Sequence, residues 1–244
     1  MELFSGKGGV SAALRRHGRA VVQADICHGA HFDLTNPKVM STLELWIKTG
    51  IVEALVMGTP CESMSRARRA PAWSRMPHQL RAKDHPAGLP SLSAADNQKV
   101  EMGNLLSRRA ARLAQLALSH NVLGLEENPS GSFLWMLHGR PSRSADSRWH
   151  RQVFEQCMFG VKYRKRTRID SWLFSLPALQ HTCGSKRCTH SGDKHQVLTS
   201  FDGSGFCTSK AAAYPPRMCE HLAFRLHEAL GLQTASALWN RFKG

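Results

Sequence analysis

Apolar residues along this chain fall in short bursts separated by stretches of helical period. The bursts "LFSG", "AVVQAD", "IVEALVMG" and "NVLGLEE" each end in turn formers or acids, which predicts short buried strands. "SAALRRHG" carries an apolar stripe and ends at Gly18, while "TNPKVMSTLELWIKTG" opens with Asn36 capping Pro37 and stops at Gly50. Both are punctuated helices. The period returns in "ADNQKVEMGNLLSRRAARLAQLALSH", and "YPPRMCEHLAFRLHEALGLQ" predicts a proline-started helix followed by a last short one. Strands alternating with helices predict an α/β fold with a mostly parallel sheet flanked by helices.

Two segments depart from this alternation. Between Cys61 and the long helix lies a stretch rich in proline and arginine, of a length that compact domains reserve for functional or disordered loops. Residues 171–213 form a small irregular insert, poor in apolar residues and rich in turn formers, cysteine and histidine. The chain therefore divides into residues 1–170, the insert, and closing helices over residues 214–244.

Composition narrows the partners. The chain has 244 residues, 42% of them hydrophobic, enough for one large domain with an appendage. Lysine and arginine outnumber aspartate and glutamate 33 to 18, a formal charge of +15, and such an excess points to a polyanion, most simply nucleic acid. No apolar run reaches transmembrane length and no signal-peptide pattern opens the chain, so no membrane partner is expected. The expected location is intracellular: the nucleus in a eukaryotic host, otherwise the cytoplasm. Seven cysteines at irregular spacing argue against a disulfide framework.

Four constellations carry chemistry. "FSGKGG" joins the first strand to a helix, an arrangement that brings a ligand close to backbone and helix N-terminus, although such a turn also occurs without a ligand. It lacks the ending of a phosphate-binding P-loop. Asp25 ends the next strand, where a carboxylate can accept from two ribose hydroxyls or simply cap a turn. "GTPCES" delivers Pro60 and Cys61 to the carboxyl end of a central strand, where open parallel sheets build their sites. A cysteine there is either a nucleophile or a small buried residue. "EENP" puts Glu126 and Glu127 at another strand end, and "YRKRTR" packs basic residues between apolar segments.

Taken in this order, the motifs resemble the C5-cytosine DNA methyltransferases, in particular phage-type or retroelement-associated members. "ELFSGKGG" is similar to the family's F-x-G-x-G cofactor loop, "GTPCES" to its proline-cysteine motif, "EENP" to its E-N-V motif and "YRKRTR" to its Q-x-R-x-R motif. "KAAAYPPRMCEHLA" resembles the closing helix. The resemblance spans Glu2 to Ile169. It implies a Rossmann-like S-adenosylmethionine-dependent methyltransferase fold in residues 1–170, and methyl transfer from S-adenosylmethionine to carbon 5 of cytosine in DNA.

The resemblance further implies that Cys61 adds to carbon 6 and that Glu127 holds the ring N3 and amine. Arg166 would contact O2, with Arg168 in support. The base must leave the helix stack to be reached. Phe4, Gly6, Gly8 and Pro60 would line the cofactor, Asp25 would hold its ribose and Asp33 its adenine. The segment after Cys61 would close on DNA, with Arg66, Arg68, Arg69, Arg75, Arg81 and Lys83 on phosphates, joined by Arg164.

The sequence departs from the family in several places. Glu2 stands for the usual aspartate, Pro129 for valine and Arg164 for glutamine, while the first strand is short enough to suggest a fragment. The insert is much smaller than a usual target-recognition domain, so a partner chain or flanking segments are expected to complete recognition. Within it Cys183, Cys188, His190 and His195 approach zinc-site spacing, and a structural zinc is one expectation. The alternative function is a catalytically silent nucleic-acid-binding relative; an RNA substrate fits less well, because the second cysteine arrangement of RNA enzymes is absent.

Overall fold

The computed structural model describes residues 1–66, 68, 78–137, 146–179, 183, 187–198 and 211–243, and side chains at 178 and 236–243 are left aside. Six strands form one mixed sheet in the order β2-β1-β3-β4-β6-β5. They are β1 (Glu2–Leu3), β2 (Gln23–Ala24), β3 (Ala54–Met57), β4 (Leu123–Pro129), β5 (Trp149–Glu155) and β6 (Arg166–Trp172). β1 to β4 pair in parallel, while β6 runs antiparallel to both β4 and β5. The expected α/β class is present, with a sheet that is mixed through one reversed strand.

Helices cover both faces. On one, α1 (Gly9–Arg16) and α4 (Pro216–Lys243) pack Val10, Leu14, Met218, Leu222 and Leu226 against Val56, Leu125 and Ile169. On the other, α2 (Pro37–Lys48) and α3 (Ala94–Ser119) cover Leu3, Leu55 and Met57. α2 begins where the sequence says it should: the Asn36 side chain accepts from the Lys38 amide, and Pro37 occupies the first turn. α3 starts at Ser93, whose hydroxyl accepts from the Asp96 amide, and its buried Val100, Ala110, Leu113, Ala114 and Ala117 keep helical spacing.

Two predicted elements differ. The closing segment is one continuous helix, because "LGLQTASA" contains a single glycine and no proline to break it. "AVVQAD" contributes only Gln23–Ala24 to the sheet. The antiparallel end is locked by Trp149 and Trp172, stacked 5.0 Å apart at 11°. Gly124 is the residue that admits them, since a Cβ there would lie 2.0 Å from the Trp172 ring. No described helix is long and apolar enough to cross a membrane.

This topology fixes where a site can form. From β1 the chain moves outward to β2, then returns to the other side of β1 as β3. Open sheets bind ligands outside the carboxyl ends of strands at such a reversal. The segments leaving β1 and β3 there are "FSGKGG" and "GTPC".

Candidate active site

The glycine segment is shaped by its backbone. Phe4, Gly6 and Gly8 all have positive φ, at 54°, 50° and 63°, so the chain curls tightly before entering α1. A side chain at Gly8 would meet the Gln23 amide at 1.5 Å. Buried Glu2 anchors the curl by accepting from the Ser11 amide at 2.8 Å and from the Ser11 hydroxyl. Burial pushes its pKa up, against the pull of those hydrogen bonds.

Asp25 lies directly behind this loop. Its carboxylate accepts from the Gly6 amide at 2.9 Å and the Cys27 amide at 3.0 Å. Partial burial raises its pKa, but the amide hydrogen bonds outweigh that and hold it below the ordinary value. Ile26, beside it, is 64% exposed. Asp33 is elsewhere: it accepts from the Thr35 amide and hydroxyl in the turn before α2 and does not line the cavity described next.

That cavity, of about 700 Å³, is walled by Phe4 to Gly9 on one side and by Gly58 to Cys61, Glu127, Asn128, Tyr163, Lys165 and Tyr214 on the other. Two hydrogen bonds couple the ends of β3 and β4: Thr59 donates its hydroxyl to Glu126, and Asn128 donates to the Thr59 carbonyl at 2.6 Å. Cys61 and Glu127 are therefore held relative to one another. Strand alternation separates the two glutamates, sending Glu126 toward Thr59 while Glu127 faces the cavity. A larger hollow of about 1040 Å³ opens at Asn121 and Leu123, the opposite end of β4; its charged residues Arg225 and Glu228 pair with each other.

Electrostatics inside the cavity follow from burial. Glu127 is 5% exposed, its Oε1 has no hydrogen-bond partner among the described residues, and burial pushes its pKa up despite the nearby Lys165 ammonium and the Tyr214 hydroxyl. Burial also pushes the Cys61 thiol up; Lys165 pulls it down and Glu127 adds to the rise. Lys165 donates to the Ala211 carbonyl at 3.1 Å, which fixes it at the rim. The Tyr214 hydroxyl packs so near Gly58 that a Cβ there would approach it to 2.8 Å.

The basic motif is rotated by one position from its expected facing. Glu127 pairs with Ile169 across β4 and β6, so alternation turns Lys165 and Thr167 toward the Glu127 face and Arg166 and Arg168 away. Arg166 stands 4.0 Å from Glu155, and Arg164 joins the same carboxylate at 3.2 Å. Arg168 grips Asp170 and lies 4.0 Å over the Trp135 ring. The base-contacting role expected of Arg166 is thus not supported by its position, and from this motif the cation lining the cavity is Lys165, with Lys7 of the glycine segment also in the lining.

Among the expected phosphate contacts, Arg66, Lys83 and Arg164 are exposed, with Arg66 5.0 Å over the Phe133 ring. Arg68 is half-buried and donates to the His78 carbonyl. Arg69 and Arg75 lie outside the described residues. Arg81 must be corrected. It is fully buried and donates to Ser63 O, Ser63 Oγ, Pro86 O, Asn104 Oδ1 and Val100 O at 2.7–3.1 Å. Burial lowers its pKa to about 10, which leaves it charged at neutral pH. Its guanidinium ties the segment after Cys61 to α3 and is out of reach of a phosphate.

The Cys/His group also changes membership. Cys157, Cys183, Cys188 and His195 converge, with one ligand atom from each within 4.8 Å of the others. His190 is exposed and outside the four. Cys157 takes its place from a short 3-10 turn, Gln156–Phe159, at the end of β5, a segment too far along the chain for spacing to reveal. Lys165, Tyr214 and Asn128 were missed as well. Their signal was positional: alternation from Glu127's partner for Lys165, and adjacency to "EE" for Asn128.

No protein-family model matches the sequence, and a search of curated proteins finds no match.

Proposed function

We propose that the chain is an S-adenosylmethionine-dependent DNA cytosine-C5 methyltransferase acting through a covalent bond from Cys61. The observation that carries this reading is the meeting, in one cavity, of a thiol, a carboxyl oxygen without a partner and an ammonium group, opposite a glycine loop. The residues fit the cofactor. The positive-φ curl at Gly6 and Gly8 presents backbone without side chains, Asp25 stands behind it with a carboxylate already low in pKa, and exposed Ile26 offers an apolar face for a purine. When bound, S-adenosylmethionine supplies an electrophilic methyl group carried on a positively charged sulfur.

The chain's own residues do the rest. Cys61 uses a sulfur lone pair to bond carbon 6, which pushes ring electrons toward carbon 5 and makes it nucleophilic. Glu127, kept protonated to higher pH than an ordinary carboxyl, donates to ring N3 and neutralises the charge that develops there. Lys165 favours the thiolate of Cys61. Tyr214 orients the Glu127 carboxyl by donating to it. The carbon 5 proton then passes to water, its electron pair re-forms the ring double bond and expels the Cys61 thiolate from carbon 6, and ring N3 returns its proton to Glu127. A pocket this enclosed requires the base to be flipped out of the duplex. The chain's +15 charge suits the phosphate backbone.

The test is incubation with labelled S-adenosylmethionine and duplex DNA, beside a duplex carrying 5-fluorocytosine. Label transfer and a covalent adduct are expected. Salt-sensitive DNA binding with neither would identify a catalytically silent relative instead.

A further inference from the structure

We propose that Cys157, Cys183, Cys188 and His195 bind one structural zinc ion, which clamps the insert to the end of β5 and to residues 162–165, the segment before β6 that reaches the cavity. The inference stands apart from the methyl-transfer reading and would hold for a silent relative equally.

The four ligand atoms are grouped as a coordination sphere requires. Zinc–sulfur bonds near 2.3 Å and zinc–nitrogen bonds near 2.05 Å, at tetrahedral angles, put neighbouring S and N atoms roughly 3.6 Å apart. Cys183 Sγ and His195 Nε2 are 3.4 Å apart. Three buried cysteines alone could be an apolar packing feature, and they do form a cluster of their own. That explanation leaves no reason for an imidazole nitrogen to point among them. A disulfide would use two of the thiols and leave the third and the histidine unexplained.

The surroundings suit a closed, thiolate-rich site. The Thr189 amide donates to Cys183 Sγ at 3.3 Å and its hydroxyl lies at 3.5 Å, contacts that orient and stabilise a thiolate ligand. Three thiolates and one Zn²⁺ leave a net charge of −1, and Lys162, Lys194 and Arg217 line the adjoining hollow. Soft sulfur with one imidazole selects zinc over magnesium or calcium. Four protein ligands leave no open position, which marks a structural ion rather than a catalytic one.

The consequence reaches the cavity. Gln196, next to His195, donates its amide to the Lys162 carbonyl at 2.8 Å and bridges Tyr163. Tyr163 and Lys165 both line the cavity. Holding His195 to Cys157 therefore holds the segment before β6 that aims Lys165.

Protein purified under reducing conditions without an affinity tag should contain about one zinc per chain. Replacing the metal with Co²⁺ should give thiolate-to-cobalt absorption together with the visible bands of a tetrahedral centre. Cys157→Ser should lose the zinc, whereas His190→Ala should keep it. Should the Cys157 variant fail to fold, the wild-type cobalt spectrum still decides. Absence of zinc together with no thiolate-to-cobalt band overturns the proposal, as does loss of metal from the His190 variant but not from the Cys157 variant.

Discussion

Cys61 is half-buried and Cys157 buried, and Val161 contributes to the walls of both hollows beside them, yet their neighbours give them opposite chemistry. Around Cys61 stand the Glu127 and Glu62 carboxyl groups and the Lys165 ammonium, and among the described residues no second sulfur lines its cavity. Around Cys157 two more sulfurs and an imidazole nitrogen converge, filling the space a substrate would need. Residue type does not decide the role; what stands within a few ångströms does. The same holds for Arg81, locked under the loop, and Arg66, exposed on it.

The largest expected effect separates the two thiols. Cys61→Ala should lower methyl transfer by at least about a thousandfold, since no other described side chain in the cavity offers a thiol. It should leave the melting temperature and zinc content unchanged. Cys157→Ser should instead lose the zinc and lower the melting temperature, with only a smaller loss of rate, through the segment that carries Lys165. Both variants losing stability equally would erase the distinction. Glu127→Gln belongs to the Cys61 side of it and should cost about 10²–10⁴ in rate, because an amide can donate to N3 but cannot hold or release the proton.

Next comes Arg81. Replacing it with methionine leaves five oxygen acceptors on Ser63, Pro86, Val100 and Asn104 without their donor, at a cost of about 2 to 4 kcal/mol, read by denaturant or thermal unfolding. A surface arginine would cost a few tenths.

These residues also mark how much was legible beforehand. The glycine curl, the Pro60-Cys61 turn, Glu127 and the helix start at Asn36 could be read because each is a local pattern: a few adjacent residues set the backbone and the facing. The facing of Lys165 and Arg166 could not, since it depends on which residue of β6 lies opposite Glu127, and a one-residue change of register swaps the two faces. Cys157 was hidden because its partners come from a different segment. Arg81 was misjudged because composition near a loop predicts exposure, while burial is decided by what α3 offers it.

Lys165 gives the next effect, and its sign is fixed. Its positive charge favours the Cys61 thiolate, so Lys165→Met should raise the thiol pKa further, and the limb of the rate profile that rises with pH should move to higher pH. Lys165 also lowers the Glu127 pKa, so any falling limb set by Glu127 deprotonation should move the same way. An unshifted profile in this variant would show that Lys165 does not act on either group.

The smallest effect tests the arginines against each other. If Arg66 and Lys83 meet DNA phosphates, replacing each with alanine should weaken binding modestly and reduce the slope of log affinity against log salt by about one. Arg81→Met, measured on the fraction that stays folded, should leave that slope unchanged, because a guanidinium with no exposed surface has no counterions to release. A slope that falls for Arg81 and not for Arg66 would reverse the assignment, and would require the segment between Cys61 and α3 to rearrange on DNA until the buried arginine comes out.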